Sequence, residues 1–273
     1  SGMCIMGSEY DRGTVGVEKI RTDGRLKIWM QALALAALLM FYPVSALWTC
    51  GEPQGSKEAS AGKESGRPQE TSAGEEAVQP GQSVQEDEKP RIALTFDDGP
   101  DAEYTPVLLD GLKERNVRAT FFVIGANIEK EGNASLIKRM HEEGHAIGNH
   151  TYHHVDLSKM NPGDALKELD MADGLIEEIT GEAPALVRPP FGAFPQGAEE
   201  EDKLYVKWTV DSQDWVTRNT EAAVRKVVTD TEENDIILMH DCYGTSVEAA
   251  LQIVDILLER GYEFVTVEEL LIE

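Results

Sequence analysis

Cysteine is scarce in this chain: Cys4, Cys50 and Cys242 are the only three in 273 residues, and they lie far apart. That spacing excludes a disulfide framework and any Cys-x-x-Cys metal pattern. Positive charge is scarce as well, with 25 Lys and Arg against 50 Asp and Glu and a formal net charge of −25. The imbalance is uneven: residues 1–50 carry +1, residues 51–90 carry −5 and residues 91–273 carry −21. A body so acidic repels phosphate backbones, whose binding needs clustered Lys and Arg, so nucleic acid is excluded as a partner. Histidine is sparse too. Yet five of the six, His141, His145, His150, His153 and His154, fall in one short stretch, and the sixth is His240.

Long apolar runs are absent except for one. Ile28 to Trp48 is almost wholly apolar, and Lys19, Arg21, Arg25 and Lys27 precede it. A membrane span needs roughly 20 such residues. Basic residues on its N-terminal side hold that end in the cytoplasm and send the rest outside. The expectation is a cytoplasmic segment over 1–27 and a transmembrane anchor or signal segment over 28–48. Cys50 after Leu47-Trp48-Thr49 resembles a lipoprotein cleavage site, but Trp48 and Thr49 depart from the small residues such a site uses, which favours an uncleaved anchor. Residues 49–89 are rich in Glu, Gly, Ser, Gln and Pro and poor in large apolar side chains. They cannot bury enough surface to offset chain entropy, so they read as a disordered acidic tether.

From residue 90 the texture changes. Strand-like apolar runs recur at Ile92–Phe96, Ala119–Ile124, His145–Asn149, Ala185–Arg188, Leu204–Val210, Ile236–His240 and Phe264–Val267. Helical patterns separate most of them. Thr105-Pro106 reads as an N-cap and first-turn proline. Asn161-Pro162 opens a helix that ends at Gly181. Thr245-x-x-Glu248 reads as a capping box for a helix closed by Gly261. Strand alternating with helix predicts an α/β fold, a distorted barrel of about seven parallel strands over residues 90–273. In such folds the active site lies at the C-terminal strand ends.

Chemistry-bearing residues collect at those ends. Asp97 and Asp98 close the first run and a Gly99-Pro100 turn follows. Alone, Asp-Asp-Gly-Pro is more often a turn and a helix cap. Two adjacent like charges are unfavourable unless cations separate their tasks, a metal for one and an arginine for the other. His150 and His154 follow the third run, and that spacing puts two imidazoles on one side of a single turn. With a carboxylate from another strand end they make a two-histidine, one-carboxylate site with open positions, the arrangement of a hydrolytic metal centre. His141, His145 and His153 read as structural or surface residues. Arg188 in Arg188-Pro189-Pro190-Phe191 sits on a backbone fixed by proline and can be aimed at Asp97. Asp211-x-x-Asp214-Trp215 and Leu238-Met239-His240 close two further runs. A carboxylate there can pair with a histidine and raise its pKa.

Five stretches in this order, Thr95–Pro100, His150–His154, Arg188–Phe191, Asp211–Trp215 and Leu238–His240, resemble the five motifs of the polysaccharide deacetylases, family four of the carbohydrate esterases. The resemblance spans residues 90–273. It implies one divalent metal, zinc before cobalt or nickel, held by Asp98, His150 and His154. It implies Asp97 as general base with Arg188 as its charge partner, His240 as general acid, and Asp214 ahead of Asp211 as the acid's tuning partner. It further implies an oxyanion contact from the Phe191 N–H, and Trp215 and Leu238 as walls of an acetyl pocket. Between Gly192 and Leu204 the chain has only Ala193–Lys203, shorter than the family's usual helix there, so a shortened or missing helix is expected. Cys242 reads as a small buried hydrophobe.

The expectation is a membrane-tethered hydrolase on the wall side of a Gram-positive cell, its catalytic domain monomeric, removing N-acetyl groups from peptidoglycan N-acetylglucosamine. Chitooligosaccharide and acetyl-xylan use the same chemistry. A wall-glycan-binding protein that does not turn over is the reading of a different class; Asp97 and His240 argue against it, because binding alone requires neither.

Overall fold

The computed structural model describes residues 89–195, 197 and 202–271. The segments expected at 1–27, 28–48 and, Lys89 apart, 49–89 lie outside the described residues. Among the described residues no helix is long and apolar enough to cross a membrane.

The chain opens with strand β1 (Arg91–Asp97), helix α1 (Thr105–Glu114) and β2 (Thr120–Val123). Then come α2 (Gly125–Ile128), α3 (Asn133–Glu142), β3 (Ala146–Asn149), α4 (Pro162–Thr180) and β4 (Leu186–Val187). Two short strands, β5 (Leu204–Tyr205) and β6 (Val210–Asp211), precede α5 (Asp214–Thr217) and α6 (Thr220–Asp230). The chain continues with β7 (Ile236–His240), α7 (Gly244–Glu259), β8 (Glu263–Val265) and α8 (Val267–Leu271).

The strands form one sheet in the order β5-β4-β3-β2-β1-β7-β6, with β8 added to β1, and every pairing is parallel. The terminal strands β5 and β6 make no pairing with each other among the described residues, so the sheet is a curled half-barrel and the expected closure is missing. The curl is visible in one contact. Two strands separate β4 from β1, a flat-sheet distance of about 14 Å, yet Arg188 just beyond β4 hydrogen-bonds Thr95 and Asp97 of β1.

β1 is buried on both faces, as a central parallel strand should be. Ile92, Leu94 and Phe96 pack into the larger core shared with α1 and α7. Ala93, Thr95 and Asp97 alternate with them and face the inside of the curl. The β1–β7 register sets Ala93 beside Ile236, Thr95 beside Leu238 and Asp97 beside His240. An acid and an imidazole are therefore neighbours on one face before any loop is considered. On β3, Gly148 makes room for its neighbour: a Cβ there would lie 2.5 Å from the Phe122 ring. That ring in turn carries the Arg188 guanidinium 4.1 Å above its centroid.

Several local expectations need correction. The run Leu204–Val210 is two strands of two residues each, on opposite ends of the sheet order. Thr105 is the first residue of α1, not its cap; its hydroxyl is occupied by Asp101 and Asp241. α7 starts at Gly244 after Tyr243 with no side-chain cap, and Glu248 accepts from Thr220 instead of closing a capping box. α4 does begin after an Asn161 cap that accepts from the Asp164 N–H, and it ends at Gly181 with φ 85°. No helix occurs among the described residues of 193–203.

Candidate metal centre and active site

Strand ends supply the first residues. Asp97 ends β1 and Asp98 follows it with φ 72°. His150 follows β3, Arg188 follows β4, and His240 ends β7. The stretch His150–His154 is not a helical turn. Thr151 and His154 have φ of 65° and 57°, and the Asn149 side chain accepts from the Thr151 N–H at 2.6 Å to hold the bend. Of the eight non-glycine residues with positive φ among the described residues, Asp98, Thr151, His154, Phe191, Gln213 and Arg218 lie in or beside these motifs. Strained backbone of this kind persists where surrounding contacts over-determine it.

These bends bring three donors together. The Asp98, His150 and His154 ligand atoms all lie within 4.8 Å of one another. Asp98 Oδ1 is 3.4 Å from His150 Nε2 and 3.2 Å from His154 Nε2. That oxygen is buried and has no hydrogen-bond partner. His150 Nδ1 lies 2.6 Å from the Arg188 carbonyl, which can only accept, so Nδ1 carries the hydrogen and Nε2 presents a lone pair to Asp98. A buried, unpartnered carboxylate oxygen between imidazole nitrogens, one of them fixed as an acceptor, fits a divalent ion with two nitrogen ligands and one oxygen ligand. Burial opposes ionisation of Asp98, but the two imidazoles outweigh it and hold the carboxyl well below the usual carboxylate range.

One acid–base arm stands on each side. Asp97 Oδ1 accepts from Arg188 Nη1 at 2.7 Å. The guanidinium, with no exposed surface, is also held by the Thr95 hydroxyl and the Lys207 and Val206 carbonyls. On the other side His240 Nδ1 donates to Asp214 Oδ1 at 2.9 Å, and the His240 backbone N–H donates to Oδ2 at 2.9 Å. His240 Nε2 is left facing Asp98 Oδ2 at 3.9 Å. Burial works against a charged His240. The Asp214 hydrogen bond and charge, with Asp97 and Asp98 behind it, outweigh burial and push the imidazole up to about 9. Asp211 instead accepts from the Gln213 N–H, and it is Asp214 that holds the hydrogen bonds to His240.

Phe191, at φ 60°, lays its ring edge-on to His154 at 4.8 Å, and its backbone N–H donates to no group among the described residues. Trp215 on α5 is half-exposed, while Leu238 on β7 is buried beside Thr95. Three residues stay outside the cluster. His145 is buried and its Nδ1 accepts from the Ala119 N–H, with burial pulling it down to about 4. His153 pairs with Glu168, and His141 is exposed on α3. Cys242 is free, and burial pushes its thiol up to about 12, far from a thiolate.

Sequence reasoning missed the residues that hold these groups in place. Thr95 shares the face of Asp97 by strand alternation, so its role beside Arg188 was open to inference. Asn127, Asn133 and Asp241, which pack around the Asp98–Asp101 loop, carried no signal.

A family profile described as polysaccharide deacetylase matches residues 84–205. A peptidoglycan-N-acetylglucosamine deacetylase of Bacillus cereus is 41% identical over 191 residues, 66% of this chain and 87% of that protein. The chain belongs to the polysaccharide deacetylase family. A peptidoglycan-N-acetylglucosamine deacetylase of Listeria monocytogenes is 40% identical over 181 residues, 66% of this chain but only 38% of the relative's own length. Among solved structures, the peptidoglycan deacetylase PdaC from Bacillus subtilis superposes with a TM-score of 0.64 at 38% identity, covering 67% of this chain and 90% of that one. A family four acetyl xylan esterase from Clostridium thermocellum in complex with a cobalt ion gives 0.62 at 34% identity, covering 66% and 89%.

Proposed function

We propose that this chain is a metal-dependent N-deacetylase of peptidoglycan N-acetylglucosamine, with zinc as its ion, tethered to the membrane on the wall side. One observation carries the chemistry: an unpartnered, buried Asp98 oxygen beside two imidazoles, with a carboxylate–arginine pair on one flank and a carboxylate–histidine pair on the other. The substrate reading is supported by the relatives and by the apolar run and tether of the N-terminal sequence.

When bound, a divalent ion held by Asp98, His150 and His154 supplies a water of lowered pKa and a polarised amide carbonyl. Asp97 takes the water's proton as the oxygen attacks the acetyl carbon. Arg188 fixes that carboxylate by a buried hydrogen bond, so the base needs no reorientation. The Phe191 N–H, which has no acceptor among the described residues, would hydrogen-bond the oxygen that gains charge. His240 Nε2 gives its proton to the departing sugar nitrogen, and Asp214 keeps the ring oriented and charged for that step. Trp215 and Leu238 wall the acetyl methyl. Each proton taken from water on one side is matched by one delivered to the amine on the other, with no covalent enzyme intermediate.

The test is free-amine release from purified peptidoglycan by the full chain, with and without chelator, beside chitooligosaccharide and acetyl-xylan. Chelator-sensitive amine release from peptidoglycan supports the reading. Polymer binding with no amine or acetate released from any substrate overturns it in favour of a binding protein, and preferred acetate release from xylan overturns the substrate.

A further inference from the structure

Asp241, one residue beyond His240, is fully buried and takes no part in the chemistry above. Its carboxylate lies flat against Gly99: a Cβ built on that glycine would sit 2.5 Å from both carboxylate oxygens. Oδ2 accepts from the Thr105 hydroxyl at 2.5 Å, while Oδ1 has no hydrogen-bond partner. The same hydroxyl accepts from the Asp101 N–H at 2.8 Å, so its single proton is committed to Asp241. No ion pair to Asp241 occurs among the described residues, and an acid buried without a cation is costly.

The loop it presses on is the one that carries Asp98. Its other peptide groups are tied from a different direction. The carbonyls of Asp98, Gly99 and Pro100 accept from Asn127 Nδ2 at 2.7 Å, the Ile124 N–H at 2.9 Å and Asn133 Nδ2 at 3.0 Å. All three donors come from the stretch that runs from the end of β2 to the first residue of α3. Asp241, directly and through Thr105, reaches this loop from the end of the strand of His240, beside the 3.9 Å approach of His240 Nε2 to Asp98 itself.

We propose that Asp241 is a positioning residue: packed against Gly99 and bonded to Thr105, it locks the Asp98–Asp101 loop to the end of the strand bearing His240. The ligand carboxylate and the imidazole opposite it then keep one separation. This rests on reading Asp98 as a metal ligand. It adds that the ligand's placement is set from β7 as well as from its own strand.

The test uses the full chain with cobalt(II) as probe. Affinity is measured against a competing chelator, the visible d–d spectrum reports ligand geometry, and kcat and KM on an acetylated glycan are followed alongside. Asp241→Ala and Thr105→Val should each bind cobalt about 10- to 100-fold more weakly, with an altered spectrum, as loss of an outer contact to a ligand does. Asp241→Asn keeps a carbonyl oxygen toward Thr105 and should rescue affinity to within about threefold of wild type. Gly99→Ala forces the same contact from the other side and should fall with Asp241→Ala, and the double variant should be no worse than Gly99→Ala alone. Leu257→Ala, a core truncation in α7, serves as the control: it should lower thermal stability without moving cobalt affinity or spectrum. The proposal is overturned if Asp241→Ala and Thr105→Val keep wild-type affinity and spectrum, or if Leu257→Ala reproduces their losses. Should Asp241→Ala fail to fold, Thr105→Val and Gly99→Ala still decide. A wild-type chain that binds no cobalt would overturn the metal-centre reading itself and this inference with it.

Discussion

Arg188 donates to Asp97 across the inside of the curl at 2.7 Å, and the two residues are 0% and 4% exposed. Removing the cation strands a buried carboxylate, which costs about 3–5 kcal/mol where a buried pair is broken from one side. Arg188→Ala should therefore lower the melting temperature by many degrees. Arg188→Lys retains charge but cannot serve Asp97, Thr95 and the Val206 and Lys207 carbonyls together, because a lysine is one point donor in place of a fork. Its fold should survive while kcat falls on the order of 10²-fold, the scale of a small misplacement at the reacting centre. Thermal denaturation with steady-state kinetics separates the two. An Arg188→Ala protein as stable as wild type would refute the pairing argument.

Asp97 and Asp98 are adjacent in sequence and divided in task by what surrounds them. Asp97 faces a guanidinium; Asp98 faces two imidazoles. Asp97→Asn should keep metal content near one ion per chain, since the ligand set is untouched. Turnover should fall by about 10²- to 10⁴-fold, the usual worth of a positioned general base. Elemental analysis and amine-release kinetics on one preparation decide it. Retained turnover would mean that another group takes the proton.

His240 and Asp214 give a pH signature. The imidazole is raised to about 9, above its unfolded value, so its contribution to stability is fully present below pH 6.5 and is lost as pH rises through the folded pKa. Asp214 is held below the usual carboxylate range: burial opposes this, and the His240 hydrogen bond and charge overcome it. Its contribution is present above the unfolded carboxylate pKa and lost as pH falls through the folded one. Between about pH 4 and 6.5 both terms act in full. The melting-temperature gap between wild type and Asp214→Asn should thus be widest there and close toward pH 10. Activity should follow the same acid: the alkaline limb of kcat moves to lower pH in Asp214→Asn. A bound cation offsets the charge of Asp98, so the wild-type limb in the loaded protein lies below 9. An unmoved limb would remove His240 from the proton-donor role.

Much of this is legible in the sequence, and the reason is periodicity. Apolar runs ending in charged residues mark parallel strands, and parallel strands deliver their C-terminal residues to one edge; that puts Asp97 and His240 at the edge, while the roles expected of them come from the neighbouring motifs and the family resemblance. What was not legible is what depends on the third dimension. The two-residue strands β5 and β6 are too short for periodicity, so Leu204–Val210 read as one strand when its halves sit at opposite ends of the sheet order. The bend at Thr151 and His154 replaces the turn that His-x-x-x-His spacing suggests. The Thr105 and Glu248 side chains looked like caps by local pattern, but long-range partners claimed both. Nothing in the sequence singles out Asn127 and Asn133, because a side chain that bonds a distant carbonyl leaves no mark in its own neighbourhood.

The unpartnered Asp98 oxygen makes the metal a matter of stability as well as chemistry. Whatever binds the folded chain and not the unfolded one raises stability by about 2.7 kcal/mol at a free concentration of 100 Kd. For a folded unit of this size that is a rise in melting temperature on the order of 5–10 °C. Wild type should show it with zinc or cobalt and lose it to chelator. His150→Ala removes one ligand and also leaves the Arg188 carbonyl without its 2.6 Å donor, so the variant should start lower and gain almost nothing from metal. His154→Ala, whose ring is partly exposed and makes no comparable second bond among the described residues, should start near wild type and gain little. Differential scanning calorimetry with and without ion reads all of these, and an equal metal-induced rise in wild type and both variants would place the ion elsewhere.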